Sequence, residues 1–292
     1  MKRIVLAIGL LLGSWTLAAA ATVNVGLNDV IATVERSFQQ DSSGHIPISD
    51  FTADFFQRTL LSKERRELRG DGRVSVRMPA NGQPLMFRFE YYRPARQEIV
   101  SDGRSMWIYL PENRQVILSD VSFLYDRRSM NPNGDPAVNF LQGLGRISKD
   151  FQINFAPGMY DAAGNYVLEL NPRRSMLTTR RILLVVDRDS VLARASSNRN
   201  LPGSPSAPVP PSTQHGLPAA KTGFAPPLGT FGNLQSEPFP VLSSTVDSHD
   251  GTSVTMEFSN IRINNRLPGS EFNFIIPGDA QVVRPSEKNL PR

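Results

Sequence analysis

The sequence predicts one mainly β domain, a single strongly curved antiparallel sheet or open barrel that helices cover on one side. Many short segments alternate apolar and polar residues, and turn-forming residues separate them at short spacing. One amphipathic helical pattern precedes these segments, and a second, shorter one interrupts them. We therefore expect all the strands to share one sheet.

The chain begins with the features of a secretory signal peptide. Two basic residues at positions 2–3 precede a mostly apolar run over 4–12, and four alanines follow at 18–21. The run is shorter than the roughly 20 residues that a membrane-spanning helix needs, which disfavours the alternative of an uncleaved anchor. We therefore expect export, cleavage near Ala20 or Ala21, and a soluble mature protein.

The sequence contains no cysteine, and its formal net charge is +5. Its core must hold by packing without disulfides. A bacterial lipoprotein carries its lipid on a cysteine after the signal peptide, so this chain can handle lipid but cannot be anchored by its own. Export excludes nucleic acid as a partner, and the mild positive charge leaves a weak attraction to anionic lipid or to an acidic protein.

Two segments have the apolar spacing of helices. The segment 28–40 can be capped by Asn28 or Asp29, and Asp135-Pro136 suits the start of a second helix. The apolar positions are Val30, Ile31, Val34 and Phe38 in the first helix and Val138, Leu141 and Leu144 in the second. Gly143 and Gly145 make the second helix short.

Alternating segments predict strands along the rest of the chain. Asp102-Gly103 and Asp250-Gly251 are strong hairpin signals between neighbouring strands. The predicted strands are 48–61, 68–78, 85–92, 97–101, 104–110, 114–119, 151–155, 165–170, 181–187, 191–196, 241–247, 252–263 and 272–276.

A proline-rich stretch over 197–240 lies inside the predicted sheet. It holds ten of the chain's 23 prolines, and no apolar period survives in it. We interpret it as a disordered or polyproline-like insert, because each flank is too incomplete to be a domain. The organisation is then a signal peptide at 1–21, a single domain at 22–284 that the insert interrupts, and a flexible tail at 285–292.

Five segments in order resemble one known family, and together they span most of residues 27–284 apart from the insert. They are Phe51-Thr52-Ala53-Asp54-Phe55-Phe56-Gln57, Gly72 to Pro79, Phe87 to Tyr91 followed by Pro94, Ile99 to Tyr109, and Phe272 to Gly278. The segment from Ile99 to Tyr109 is the sharpest match, to V-S-D-G-x-x-L-W-x-Y. The series resembles the LolA family of periplasmic carriers of outer-membrane lipoproteins.

The resemblance implies an unclosed, strongly curved antiparallel β-barrel, with an N-terminal helix and a short lid helix over an apolar cavity. It further implies acylated lipoproteins as cargo, an inner-membrane ABC-type exporter and an outer-membrane lipoprotein receptor as partners, and no cofactor. The receptor shares the fold but is itself a lipoprotein. A chain without cysteine therefore fits the soluble carrier, which we expect to be a monomer.

Aromatic residues on the strands are the expected lining of the cavity, with ordinary core packing as the alternative for each. These candidates are Phe51, Phe55, Phe87, Phe89, Trp107 and Tyr109, with Val138, Leu141 and Leu144 from the lid. The family has an arginine directly before the proline of its second strand, where it latches the lid. Here the order is Arg77-Met78-Pro79, so Arg77 is the expected latch but stands one residue earlier than in the family. A shift of one residue along a strand points a side chain to the other face of the sheet.

We expect no enzyme and no metal site. The histidines are His45, His215 and His249, and none has an obvious Ser or Asp partner at a strand end. The sequence has no G-x-S-x-G, no Walker loop and no G-x-G-x-x-G motif. The alternative functions are a periplasmic sensor or regulator on the same fold that binds lipid or lipoprotein, and a carrier of another lipid.

Deleting Leu201 to Glu237, with a short Gly-Ser bridge in their place, tests whether the insert is dispensable for folding. We expect a cooperative thermal transition like that of the intact chain, because long surface loops add little to the free energy of folding. Circular dichroism during heating measures it, and loss of the cooperative transition would show that the segment is structural.

Overall fold

The computed structural model describes residues 24–39, 47–80, 82–121, 144–176, 178–199 and 239–284. Within them the helices are α1 (Leu27–Ser37), α2 (Ile147–Asp150) and α3 (Arg188–Arg199). The strands are β1 (Asp50–Leu61), β2 (Arg66–Arg77), β3 (Met86–Arg93), β4 (Gln97–Ser101), β5 (Ser105–Leu110), β6 (Gln115–Asp120), β7 (Phe151–Tyr160), β8 (Tyr166–Pro172), β9 (Thr179–Val186), β10 (Val241–Ser248), β11 (Thr252–Ile263) and β12 (Gln281–Val283). The predicted signal peptide and tail, and the predicted lid residues Val138 and Leu141, lie outside these ranges, as does nearly all of the insert.

The twelve strands of the described residues form one sheet in the order β12-β6-β5-β4-β3-β2-β1-β11-β10-β9-β8-β7. Neighbours are antiparallel except for β12, which pairs with β6 in parallel. The sheet ends at β12 on one side and at β7 on the other, and these two ends do not pair. This confirms the predicted fold class, a mainly β protein with an unclosed, curved sheet.

One face of the sheet, here called the inner face, carries the apolar core. Its residues stand opposite one another across the ladder, as Val76 does to Phe87 and Val74 to Phe89. Val30 and Val34 of α1, and Val191 of α3, pack into the same core. Each such side chain contributes about 1.5–3 kcal/mol by leaving water, so the helices and the inner face stabilise one another.

The chain after β11 turns sharply to reach the opposite, outer face of the sheet. Asn264 and Arg266 both have left-handed backbone, with φ of 55° and 57°. The buried carboxylate of Asp50 holds this turn, since it accepts hydrogen bonds from the backbone N–H of Asn265 at 2.7 Å and of Arg266 at 3.1 Å. The segment 264–280 that follows is here called the C-terminal strap, and it leads into β12.

Two predicted strands are wrong. Residues 191–196 belong to α3, whose first turn is capped by Asp187: its carboxylate accepts hydrogen bonds from Ser190 N at 2.8 Å and Ser190 Oγ at 2.6 Å. The segment 272–276 belongs to the strap, where it continues from a 3₁₀ turn at Gly269–Phe272. The strands it crosses already have neighbours on both sides, so it lies across the sheet instead of joining it.

The two Asp-Gly turns occur where the sequence predicts them. Gly103 has a φ of +87°, and a Cβ at this position would lie 2.1 Å from Pro84 Cγ, so the turn requires glycine. Asp102 Oδ1 accepts hydrogen bonds from Arg104 N and Ser105 N at 2.8 Å each, which closes the connection between β4 and β5. The predicted cap of α1 is different, because Gly26 occupies that position and its N–H donates to Asp29 Oδ2 at 2.8 Å.

A buried ionic cluster links β9, β10 and β11 on the outer face. Asp247 is only 8% exposed, and its carboxylate accepts from Arg181 Nε at 2.6 Å, Arg180 Nη2 at 3.3 Å and Ser253 Oγ at 2.7 Å. Burial alone would raise the pKa of Asp247, but the hydrogen bonds and the two arginine charges outweigh it and hold the pKa below its ordinary value of 3.8.

The substitution Asp247→Asn should lower the free energy of unfolding by about 2 kcal/mol at neutral pH, because the arginines lose their charged partner. A depressed folded-state pKa gives stability that is complete above the ordinary pKa and lost as the pH falls through the lower folded value. The difference between the two proteins should therefore shrink below about pH 4, as urea unfolding at several pH values measures. Asp279→Asn is the control, because its carboxylate is exposed and lies 3.8 Å from Arg114; a pH-independent Asp247→Asn effect would contradict the assignment.

Candidate functional site

Four of the six predicted lining residues lie together on the inner face. Phe51, Phe55, Phe87 and Phe89 are all buried there. The ring centroids of Phe55 and Phe89 are 5.6 Å apart and those of Phe87 and Phe89 are 5.7 Å apart, both edge to face. Such pairs add about 0.5–1.5 kcal/mol to the burial of each ring, so the cluster is a preferred arrangement of these side chains.

A glycine makes room for the Phe55 ring. Gly72 stands opposite Phe55 on β2, and a Cβ there would lie 3.0 Å from Phe55 Cζ and 1.9 Å from the carbonyl oxygen of Glu90. Tyr91 then packs on Phe55 at 4.9 Å between centroids, and its Oη donates a hydrogen bond to Gln57 Oε1 at 2.8 Å. This end of the cluster is thus apolar around the rings and polar at its rim.

Two further phenylalanines join the sheet to α1: Phe38, an apolar position of the predicted first helix, and Phe239, which the sequence analysis missed. The Phe239 ring packs on Phe51 at 4.7 Å and on Phe38 at 5.7 Å between centroids. Phe239 lies between Pro238 and Pro240, and the composition of that stretch led to its being assigned to the insert. The signal that could have identified it is a lone aromatic residue at the boundary of a strand.

Residues 144–150 and α1 together cover part of the inner face. Leu144, a predicted lid residue, is buried beside α1, as is Ile147. Glu35 Oε1 accepts hydrogen bonds from Ser148 N at 2.8 Å and from Ser148 Oγ at 2.7 Å, and Gln39 Nε2 donates to the carbonyl of Gly145. All three bonds are exposed to solvent, so they hold the two helical segments together only weakly.

Trp107 and Tyr109 lie on the other face of the sheet, which corrects the prediction that all six aromatic residues line one cavity. In the ladder Val100 stands opposite both Trp107 and Arg88, whereas Ile99 stands opposite Phe89. Side chains alternate between the faces, so Trp107 shares the outer face with Arg88. There Phe274 of the strap packs against the rings of Trp107 at 6.2 Å and Tyr109 at 5.7 Å.

Arg77, the predicted latch of the lid, also lies on the outer face and contacts the strap. Its guanidinium donates to the carbonyl of Leu267 and lies 5.4 Å from the ring centroid of the fully buried Phe272. Arg88 continues the attachment with hydrogen bonds to the carbonyls of Glu271 at 2.7 Å and Asn273 at 2.9 Å. The one-residue offset from the family's position has its structural consequence here, since Arg77 fastens the strap and faces away from the helices.

The charged groups of the described residues are kept out of the aromatic cluster. Among the described residues, the carboxylates of Asp50 and Asp247 are less than a tenth exposed. The first accepts hydrogen bonds from the backbone of the strap, and the second accepts them from two arginines. In another part of the core, burial, with Tyr160 beside it, raises the pKa of the Tyr166 phenol on β8. Among the described residues the inner face therefore offers mainly apolar contact.

Neither a metal centre nor a spanning helix is found in the part of the chain that the structure describes. No group of three or more His, Cys, Asp or Glu side chains in these ranges is placed to hold a metal ion. Within the same ranges, no helix has the length and apolar content to cross a bilayer.

Sequence comparison gives one family. Residues 47–197, just over half of the chain, match the family described as outer membrane lipoprotein carrier protein LolA. Outer-membrane lipoprotein carrier proteins are similar over shorter stretches. The one from Hahella chejuensis is 26% identical over 140 residues, 48% of this chain and 61% of the relative, and the one from Chromobacterium violaceum is 31% identical over 106 residues, 36% and 44% of the two chains. The aligned stretch covers only 34% of the carrier from Actinobacillus succinogenes, at 29% identity.

Solved structures show a more distant likeness. A LolA superfamily protein from Nitrosomonas europaea is 14% identical, with a TM-score of 0.35 over 86% of this chain and 99% of its own. MucB, also solved in complex with MucA, is 15% identical with a TM-score of 0.37 over 88% of this chain and 64% of its own.

The substitution Arg77→Gln should loosen the strap and leave the helical cover unchanged. It removes the charge over the Phe272 ring and weakens the bond to the Leu267 carbonyl, at a cost of about 1–2 kcal/mol. Hydrogen exchange measures the change, which we expect at residues 267–274 and not at α1 or residues 144–150. Arg69→Gln, a change at an exposed arginine of the same strand, is the control. Faster exchange in α1 of the Arg77 variant would mean that Arg77 latches the helical cover, as the sequence predicted.

Proposed function

The chain belongs to the LolA family of outer membrane lipoprotein carrier proteins, and we propose that it carries lipoproteins by sheltering their acyl chains on its inner face. The cargo is an acylated lipoprotein. An inner-membrane ABC-type exporter supplies it, and an outer-membrane lipoprotein receptor takes it over. The carrier works as an exported monomer in the periplasm, with no cofactor and no chemical step.

The apolar inner face is the feature that supports this proposal. A carrier of acyl chains needs a large apolar surface that water does not reach, and the four phenylalanines of the inner face supply its centre. The covering helices reach this face with Val30, Val34 and Leu144. An acyl chain that replaces part of this contact would lie among the same rings.

The energetics require a cover that opens easily. Removing an acyl chain from water contributes about 0.8 kcal/mol per methylene, so a sixteen-carbon chain gives on the order of 10 kcal/mol. The exposed hydrogen bonds between α1 and residues 144–150 contribute only about 0.5–1.5 kcal/mol each. Cargo can therefore displace the cover, and the loss of helix packing keeps the net affinity low enough for release to a receptor.

A release assay tests the proposal and includes a matched pair of variants. Purified protein is added to spheroplasts that carry newly made, labelled lipoproteins, and the soluble fraction is examined for a one-to-one complex. We expect release by the natural protein and none by Leu144→Glu, which puts a charge into the apolar cover. Val282→Glu makes the same change at a partly exposed site on β12 and should release normally.

The outcomes separate the alternatives. Circular dichroism must show that Leu144→Glu still has a folded sheet. Its failure to release lipoprotein then reports a loss of cargo binding and not a loss of the fold. If the natural protein releases no lipoprotein but binds an acylated lipopeptide in a separate titration, the proposal fails in favour of a lipid sensor or a carrier of another lipid. Failure of both measurements would contradict acyl-chain binding itself.

A further inference from the structure

Strands β10 and β11 are paired over part of their length and then separate. They pair from Asp247 opposite Ser253 up to Ser243 opposite Glu257. Beyond that point β10 continues along β9 to Val241, and β11 continues along β1 to Ile263. Residues 258–263 therefore have a strand neighbour on one side only, and the sheet contains a seam.

A β-bulge on each side of the seam accounts for the separation. The pairing of β10 with β9 slips between Val241 and Ser243, and that of β11 with β1 slips between Thr52 and Asp54. At the second slip Asn260 has left-handed backbone, with a φ of 51°. Bulges bend a strand and increase its twist, so two of them facing one another turn β10 and β11 apart.

The seam forms a groove of about 630 Å³ that opens to solvent. This volume lies within the range of about 300–1,000 Å³ that is usual for ligand sites. Its apolar residues are Phe239, Leu242, Phe258, Ile261 and Ile263. Phe258, Ile261 and Ile263 also pack against the core, and Phe239 contacts Phe51, so the groove is continuous with the inner face.

The length and the ends of the groove suit one acyl chain. Six residues of strand, 258–263, extend about 20 Å, whereas one leaflet of a bilayer core, the depth of one acyl chain, is about 15 Å. The exposed Arg262 and Asn265 lie along the groove and can bind the carbonyl or peptide group to which a chain is attached. At the other end, where β10 and β11 separate, Leu242 and Phe258 offer no hydrogen-bond partner to a polar ligand.

We propose that the seam between β10 and β11 is a second lipid subsite, which holds one saturated acyl chain with its methyl end at Leu242 and Phe258, where the two strands separate, and its attached end at Arg262 and Asn265. This rests on the proposed function, because the occupant is one chain of the same cargo. A cargo with several acyl chains would then place one of them through the sheet while the others lie under the helical cover. The helices need to move less than they would for all the chains.

Fluorescence quenching by brominated lipid tests the subsite directly. Trp15 and Trp107 account for both tryptophans of the chain, so replacing each by Phe and adding Leu242→Trp gives a sole reporter in the groove. Phe89→Trp in the same background reports on the inner face, and Trp107 in an otherwise natural chain reports on the outer face. The probe is a palmitoylated lipopeptide with bromine near the end of its acyl chain.

We expect saturable quenching of the reporters at 242 and 89 with one midpoint, and none of Trp107. Quenching at 89 without quenching at 242 overturns the subsite and leaves the proposed function intact. Quenching at 242 alone supports the subsite and overturns the inner face as the lipid site. Absence of quenching at both positions overturns both proposals.

A charge in the groove gives a second, independent measurement. Leu242 is half-buried, and Leu242→Glu should weaken binding of the same lipopeptide in a titration. Leu118→Glu is the matched control, because Leu118 is a half-buried leucine on the outer face of β6, opposite Trp107. Equal affinity of the two variants would contradict the subsite.

Discussion

A strand sends successive side chains to opposite faces of its sheet, and this alternation is the constraint on which the rest of the structure depends. In β3 it sends Phe87 and Phe89 towards the helices and Arg88 outwards between them. The inner face can then be apolar over many strands without a charged group among its rings. The outer face receives the arginines, which attach the strap.

The coverings of the two faces are attached by different kinds of interaction. On the outside the strap is held by the buried Asp50 carboxylate at its start and by Phe272 and the Arg88 bonds along its length. On the inside the helical segments are held to the sheet by apolar packing, as of Val30 and Leu144, and to one another by hydrogen bonds in contact with water, such as that of Glu35. The proposed carrier has to keep its sheet and move its cover, and an acyl chain can replace apolar packing but not the buried hydrogen bonds that hold the strap.

Alternation within a strand could be read from the sequence, but the phase between strands could not. The phase between β3 and β4 depends on how the chain turns around Pro94, which places Tyr91 opposite Gln97. That pairing puts Trp107 on the outer face, although its motif matched the family well. The segments 191–196 and 272–276 failed for a related reason, since a cap at Asp187 and a sheet already filled with neighbours decided their conformations.

The start of β10 links the insert to the proposed lipid site. Strands β9 and β10 are neighbours, and Phe239, just before β10, is buried in the core. The N–H of Asp187 also donates to the carbonyl of Pro240 at 2.9 Å, which fixes the returning chain against the end of β9. Phe239 therefore ends the insert, closes the core against Phe51 and lines the seam, so a change in the last residues of the insert would act on the groove as well as on the fold.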